Sequence, residues 1–239
     1  MRAALIVALA ACGSPAPPAT ARVGHIDVAP RTTPAPTVEW SSDKLATPGL
    51  PAAASHGEIA VIPMSDLDGG RGNPNLHIEV RDRSDQLIQT IAVMTPDEYE
   101  SFVVDGKPTA KLDERIAAAN RELATLHGVH DLVALHALEL GGAGDADSGA
   151  IASGDGLDVE FRGNRIRLFH RPQQRPFDVR SAQPWLIPET KDRGQICDYP
   201  ASLAGVFHSS DIRLIVVEIQ YMSSDTCRDP SPSFHVVAY

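Results

Sequence analysis

Short runs of alternating apolar and polar residues, grouped around turns, constrain the fold of this chain most. LHIEVRD and QLIQTIAV flank the turn Arg83-Ser84-Asp85, and LDVEFR and RIRLFH flank Gly163-Asn164. Because successive side chains point to opposite faces of a strand, each pair predicts a β-hairpin with one buried face. The run IRLIVVEIQYM is predicted to be the strongest strand, and FHVVAY is predicted to close the sheet.

One segment, AKLDERIAAANRELATLHG, has helical periodicity instead. Its apolar residues recur every three or four positions and so lie on one helix face, and Gly128 stands where a glycine that ends a helix is expected. The stripe is too short for a coiled coil, so we expect it to pack on the domain's own sheet. It consists of Leu112, Ile116, Ala119, Leu123 and Leu126. The predicted fold class is α+β: a mainly antiparallel sheet built from hairpins, with one long amphipathic helix packed on it.

The first twelve residues have the pattern of an export signal. Arg2 precedes an apolar run, Ala3 to Ala11, whose helical length of about 14 Å is too short for a bilayer core of about 30 Å. The run closes on Leu9-Ala10-Ala11-Cys12, which resembles the lipobox of bacterial lipoproteins. The resemblance implies that residues 1–11 are removed as a signal peptide and that Cys12 receives a diacylglycerol. It also implies that the new amine is acylated, with a chain such as palmitate.

The lipobox resemblance also implies a cellular location. Gly13, rather than Asp, follows the cysteine, which in Gram-negative lipoproteins implies the outer membrane. The stretch Ala8-Leu9-Ala10 also matches the site of an ordinary signal peptidase, which would release a free secreted protein. That alternative leaves Cys12 as an odd thiol in an oxidising compartment. We therefore expect a lipid-anchored protein of the bacterial cell envelope.

A proline-rich segment follows the cysteine. Residues 13–54 contain eight prolines, mixed with Ala, Thr and Ser, and such a composition favours a semi-extended spacer. The predicted organisation is a signal peptide over 1–11, a lipid-anchored Pro/Ala-rich tether over 12–54 and a single globular α+β domain over 55–239. Two pieces of the tether, VGHIDVA and VEWSSD, could pair with the domain as strands.

Two cysteines remain if Cys12 carries lipid. Cys197 and Cys227 bracket the strongest strand, and an even pair in an oxidising compartment predicts a disulfide bond. His208 and His235 lie nearby in sequence. A Cys2His2 metal site is the alternative, although its spacing matches no zinc pattern.

Three histidines in LHGVHDLVALH are the most tempting chemical feature. Together, His127, His130 and His136 could hold a zinc ion and leave one position open for water. However, His127 lies at a helix end, where the helix dipole favours a histidine. His136 shares an expected core face with Leu132 and Leu138. We therefore predict structural histidines, with an exported hydrolase or metalloenzyme that uses this cluster as the alternative function.

The net charge and the acidic loops bear on several further functions. The net charge of −10 and the pI of about 5.3 exclude nucleic acid as a partner, because phosphate binding requires clustered cations. The acidic loops SDLDGG and GGAGDADSG lack the ligand spacing of calcium motifs. No catalytic residue, metal ligand or cofactor is predicted. The sequence favours a non-catalytic interaction or structural domain, with the bilayer and an envelope protein as partners.

Overall fold

The computed structural model describes residues 33–66, 72–141, 150–162, 165–170, 176–180, 201–221 and 231–239. Within these ranges lie two helices, α1 (Tyr99–Phe102) and α2 (Ala110–His130), and a 3₁₀ turn (Pro96–Glu98). The strands in the same ranges are β1 (Glu39–Ser41), β2 (Lys44–Ala46), β3 (Ala52–Ala54), β4 (Ile59–Met64), β5 (Leu76–Asp82), β6 (Leu87–Met94), β7 (Val103–Val104), β8 (Lys107–Pro108), β9 (Leu132–Ala134), β10 (His136–Ala137), β11 (Glu139–Gly141), β12 (Ala150–Gly154), β13 (Leu157–Arg162), β14 (Arg165–His170), β15 (Pro176–Arg180), β16 (Ala201–Ser209), β17 (Ile212–Tyr221) and β18 (Ser233–Ala238).

The described strands pair antiparallel, which confirms the predicted mainly antiparallel architecture. They form three larger sheets and two small ribbons, β1-β2 and β7-β8. The first sheet has the order β6-β5-β4-β3-β9, the central sheet β10-β16-β17-β18, and the third sheet β11-β12-β13-β14-β15. The hairpins β5-β6 and β13-β14 lie where the alternating runs predict them.

The three sheets stack because strands bury alternate residues in different cores. In β4, Ile59 and Val61 join the core under α2, whereas Ala60, Ile62 and Met64 join the core against the central sheet. The first sheet therefore has α2 on one face and the central sheet on the other. This packing follows from the apolar content of both faces of the strand.

The central sheet is buried on both of its faces as well. In β17, Leu214 and Val216 pack towards the first sheet, whereas Ile215, Val217 and Ile219 pack towards the third sheet. This explains why IRLIVVEIQY reads as a nearly continuous apolar run rather than an alternating one, since neither face meets water.

Helix α2 packs on the first sheet and continues past Gly128 to His130. Leu112, Ala119 and Leu123 are buried in the core that it shares with the first sheet. Gly128 lies inside the helix, and Asp131 takes the left-handed conformation at the end with φ 49°. The prediction that Gly128 ends the helix is therefore wrong, because an aspartate can adopt this conformation locally.

The segment predicted as one strand, DLVALHALEL, instead crosses three sheets. Its parts are β9 in the first sheet, β10 in the central sheet and β11 in the third sheet. As a result His136 and Leu140 are exposed, and the predicted core face shared by His136 is wrong. Because each short strand belongs to a different sheet, the alternation of buried and exposed side chains does not continue from one strand to the next.

The folded part of the chain starts before residue 55. Thr33–Tyr239 forms one compact unit, in which Val38 and all of β3 are buried. β3 pairs with both β4 and β9, and the side chain of Asn120 on α2 bonds the backbone N–H and C=O of Val38. Residues 33–54 therefore lie within this compact unit, and the small side chains of the three alanines fit β3 between two neighbouring strands.

Candidate functional site

Several predicted sites lie outside the described residues. They are the lipid-attachment residue Cys12, the disulfide pair Cys197 and Cys227, and the larger parts of both acidic loops. The lipid anchor and the disulfide therefore stay predictions.

The three histidines of the predicted alternative site do not converge. His130 bonds Glu58 through its Nδ1 atom at 2.9 Å, and His136 is exposed on β10. The Nδ1 atom of His127 is buried and has no hydrogen-bond partner. Among the described residues, no group of three or more histidine, cysteine, aspartate or glutamate side chains is placed to hold a metal ion.

The two histidines of the alternative Cys2His2 site have separate environments. His208 is buried, with 2% of its surface exposed, and its Nε2 atom bonds the hydroxyl of Tyr239. Burial lowers the pKa of His208, while the carboxylate of Asp155, 3.8 Å from its Nδ1 atom, acts in the opposite direction. His235 instead bonds Asp85 and Ser233.

An exposed groove runs between α2 and strand β6, which is an edge strand of the first sheet in the described chain. Its volume is about 300 Å³, and one wall carries Gln89, which donates a hydrogen bond to Glu122 on the helix at 2.7 Å. The helix contributes Ala118, Arg121, Glu122, Thr125 and Leu126. Two apolar side chains at the start of β6 lie open to solvent: Leu87 is 54% exposed and Ile88 57%.

A second polar arrangement joins the β5-β6 turn to strand β18. The Oδ2 atom of Asp85 lies 2.8 Å from Nδ1 of His235, and Nε2 of His235 lies 3.2 Å from Oγ of Ser233. Ser233 also bonds the hydroxyl of Tyr221 at 2.8 Å. We call the set of Asp85, His235, Ser233 and Tyr221 the Asp85 relay. It places an imidazole between a carboxylate and a hydroxyl.

Neighbouring groups hold the carboxylate of the Asp85 relay in place. The backbone N–H of Val236 donates to its Oδ1 atom at 2.8 Å, and Nη1 of Arg81 donates to the same atom at 3.2 Å. Arg81 also donates from Nε to Glu79 at 2.7 Å. Asp85 has a positive φ of 67°, a conformation that aspartate tolerates in a tight turn.

The groups around the Asp85 relay are electrostatically coupled. The imidazole of His77, whose Nε2 atom lies 3.8 Å from Oε1 of Glu79, lowers the pKa of Glu79, burial acts against it, and Arg81 lowers the pKa further. The same contact with Glu79 raises the pKa of His77. Burial raises the pKa of the Tyr221 phenol above its ordinary value. Arg81 bonds both Glu79 and Asp85, and so it links the charged side chains of β5 to the Asp85 relay.

Sequence reasoning missed this arrangement. The sequence predicts Asp85 only as a turn residue and His235 only as an alternative metal ligand, and it predicts no role for Ser233. The available signal is the spacing Ser233-Phe234-His235, which puts a hydroxyl and an imidazole on one face of a strand. The partner carboxylate, 150 residues away, has no local signature.

Comparisons with protein-family models, curated proteins and solved structures find no match to this chain. Neither described helix is long and apolar enough to cross a membrane.

Proposed function

We propose that this chain is an envelope lipoprotein of the outer membrane, anchored in the bilayer through acylated Cys12, whose domain binds an envelope protein. The lipobox Leu9-Ala10-Ala11-Cys12 and the proline-rich spacer support the anchor. The anchored part is an α+β domain in which α2 packs on the first sheet. Its role is interaction rather than nucleic-acid binding, since the chain carries a net charge of −10.

The groove between β6 and α2 carries the interaction proposal. An edge strand in the described chain offers backbone N–H and C=O groups to a further strand, and the neighbouring helix offers a wall for side chains. Leu87 and Ile88 supply apolar surface at one end of that edge. A partner segment that adds a strand would gain backbone hydrogen bonds and cover both side chains.

Charge favours one kind of occupant for this groove, an extended segment with net positive charge. Residues 97–131, which include α2, carry eight acidic and four basic residues. A basic strand beside them gains long-range attraction, which raises the association rate and weakens as salt is added. Alternating basic and apolar residues would suit a strand that has one face on the groove.

Two defined peptides test this proposal, one of alternating Lys and Val and one of alternating Glu and Val. We expect the Lys/Val peptide to shift the backbone amide NMR signals of β6 and α2 in the full chain, and more weakly at high salt. Ile88→Lys should reduce the shifts. Ile151→Lys should not, because Ile151, which is 46% exposed, lies on β12 of the third sheet. Equal shifts with the Glu/Val peptide, or none with either, would contradict the proposal.

The anchor is tested separately by the mass of the chain expressed in a Gram-negative bacterium. We expect a chain that starts at Cys12, carries diacylglycerol and an amide-linked acyl group, and sediments with membranes. Cys12→Ser should abolish both the added mass and the sedimentation, since two or more acyl chains are needed for stable attachment. A chain without added lipid that starts at Ala11 would instead indicate ordinary secretion.

A further inference from the structure

The Asp85 relay has the arrangement of a nucleophilic serine site. We infer that Ser233 is the nucleophile, His235 the general base and Asp85 the residue that orients the imidazole, and that the site accepts an acyl group from a small carboxylic ester. This goes beyond the proposed binding function, because it adds a chemical activity to the domain. It would also make the expectation of a non-catalytic domain wrong.

The distances fit these roles. A neutral imidazole that donates from Nδ1 to Asp85 at 2.8 Å presents its Nε2 lone pair to Ser233 at 3.2 Å. Both values lie within or at the edge of the reach that proton transfer requires. Ser233 and His235 are two residues apart on β18, so the pleat of the strand places both side chains on one face.

The hydrogen bonds of the Asp85 relay can all run in the same direction, from Tyr221 towards Asp85. A tyrosine phenol keeps its proton at neutral pH, so Tyr221 can donate to Oγ of Ser233 at 2.8 Å. The hydroxyl of Ser233 then donates to Nε2 of His235, and Nδ1 of His235 donates to Asp85. This order leaves the proton of Ser233 on the side of the base, as a nucleophilic serine needs.

Two further donors hold the carboxylate of Asp85. The backbone N–H of Val236 and the guanidinium of Arg81 both donate to Oδ1, which leaves Oδ2 for His235. Fixing the carboxylate fixes the tautomer and the ring orientation of the histidine, and it stabilises the imidazolium that forms during reaction. Asp85 thus acts as a positioning residue.

The proposed reaction is acyl transfer followed by hydrolysis. Oγ of Ser233 attacks the ester carbonyl while its proton moves to Nε2 of His235. The C–O bond of the ester then breaks, and the leaving alkoxide takes that proton and departs as the alcohol. Water, deprotonated by His235, attacks the acyl-serine. Its proton returns to Ser233 as the carboxylic acid leaves. Ser233 is half-buried, so part of its surface remains open to an incoming ester.

An alkyl fluorophosphonate tests the site, because it phosphonylates a serine activated by a base and releases fluoride. We expect the full wild-type chain to gain one adduct, which peptide mapping places at Ser233. Ser233→Ala should abolish the adduct, and His235→Gln should slow labelling by at least about 100-fold, the size of a general-base contribution. Ser202→Ala, a half-buried serine on β16 of the same sheet, should label like the wild type.

Two controls keep the test decisive. Denaturation of the wild-type chain in urea should abolish labelling, which provides a comparison if His235→Gln does not fold. Tyr221→Phe removes the hydroxyl that bonds Ser233 and leaves His235 and Asp85 in place, so it should still form the adduct. No adduct at Ser233 on the folded wild type would overturn the inference. An adduct that forms equally fast in His235→Gln or in urea would also overturn it.

Failure of this test leaves the binding proposal untouched. The groove between β6 and α2 is assayed by peptide-induced NMR shifts, whereas the relay is assayed by covalent labelling. Ser233→Ala should therefore abolish the covalent adduct and leave the peptide-induced shifts of β6 and α2 unchanged. Short-chain p-nitrophenyl esters then report turnover, with Ser233→Ala as the blank.

Discussion

Asp85 joins two sheets through one side chain. It belongs to the turn between β5 and β6 in the first sheet, and it accepts a hydrogen bond from the backbone of Val236 on β18 in the central sheet. In the described chain β18 is an edge strand, whose outward N–H groups need acceptors. The carboxylate of Asp85 is one such acceptor, and it makes the N–H of Val236 unavailable for pairing with another strand.

Asp85→Ala should lower the free energy of unfolding by about 1–3 kcal/mol, the usual cost of leaving a buried donor unpaired. The alanine would also have to adopt the positive φ of 67°. Asp85→Asn should cost less, because asparagine tolerates that conformation and keeps an oxygen acceptor for Val236. Urea denaturation followed by circular dichroism measures both changes. Equal losses for the two variants would contradict this role.

Glu218 gives a pH-dependent prediction. Burial raises its pKa above the ordinary value, so the folded state holds this proton more tightly than the unfolded chain does. The resulting stabilisation is complete below the unfolded pKa and is lost as the pH rises through the folded one. Glu218→Gln should therefore be more stable than the wild type at pH 7.

The advantage of Glu218→Gln should shrink as the pH is lowered and vanish below the ordinary glutamate pKa of 4.5, where the wild-type carboxyl is also neutral. Thermal unfolding at pH 7 and at acidic pH measures it. Glu139→Gln is the matched control, since Glu139 is exposed on β11. A less stable Glu218→Gln at pH 7 would show that its carboxylate is stabilised in the folded state.

At the scale of elements, α2 depends on a few buried side chains. Leu123 is fully buried between the helix and the first sheet. Leu123→Ala should cost about 2–5 kcal/mol, because it removes methyl groups and leaves a cavity. Leu87→Ala removes the same atoms from an exposed position on β6 and should change stability by less than about 0.5 kcal/mol. Chemical denaturation compares the two variants, and similar losses would contradict the packing.

The sequence predicts those elements that are determined by neighbouring residues, but it does not predict those that depend on strand partners far along the chain. The hairpin β5-β6 follows from alternation about Arg83-Ser84-Asp85, and α2 follows from a stripe with helical spacing. The division of DLVALHALEL among three sheets depends on partners far along the chain, such as β3 and β16. The sequence of this segment does not itself indicate where one strand ends and the next begins.

The same distinction applies to the sites. The spacing of Ser233 and His235 was visible in the sequence, but a strand places such pairs together often and without function. Only the tertiary fold brings Asp85 to them. The histidines at 127, 130 and 136 were close in sequence, yet the end of α2 at His130 and the change of sheet after Leu135 place His136 on a different element from the other two.

At the scale of the whole molecule, the compact unit sets where the chain can be shortened. A chain that starts at residue 33 keeps the whole compact unit Thr33–Tyr239 and should unfold cooperatively. A chain that starts at residue 55 lacks β3, which leaves β4 and β9 without their shared partner. It should fail to unfold cooperatively in a calorimeter. A cooperative transition for this shorter chain would restore the domain boundary at residue 55.

The position of the central sheet between two others has a consequence for biogenesis. Strands β16 to β18, which cover the face of the first sheet that carries Ala60 and Ile62, begin at Ala201, more than a hundred residues after β6 ends at Met94. During synthesis or export from the amino end, that face forms long before its cover arrives. The emerging chain must then be held by chaperones or stay unfolded until translocation is complete, so its maturation is governed by the order in which segments emerge.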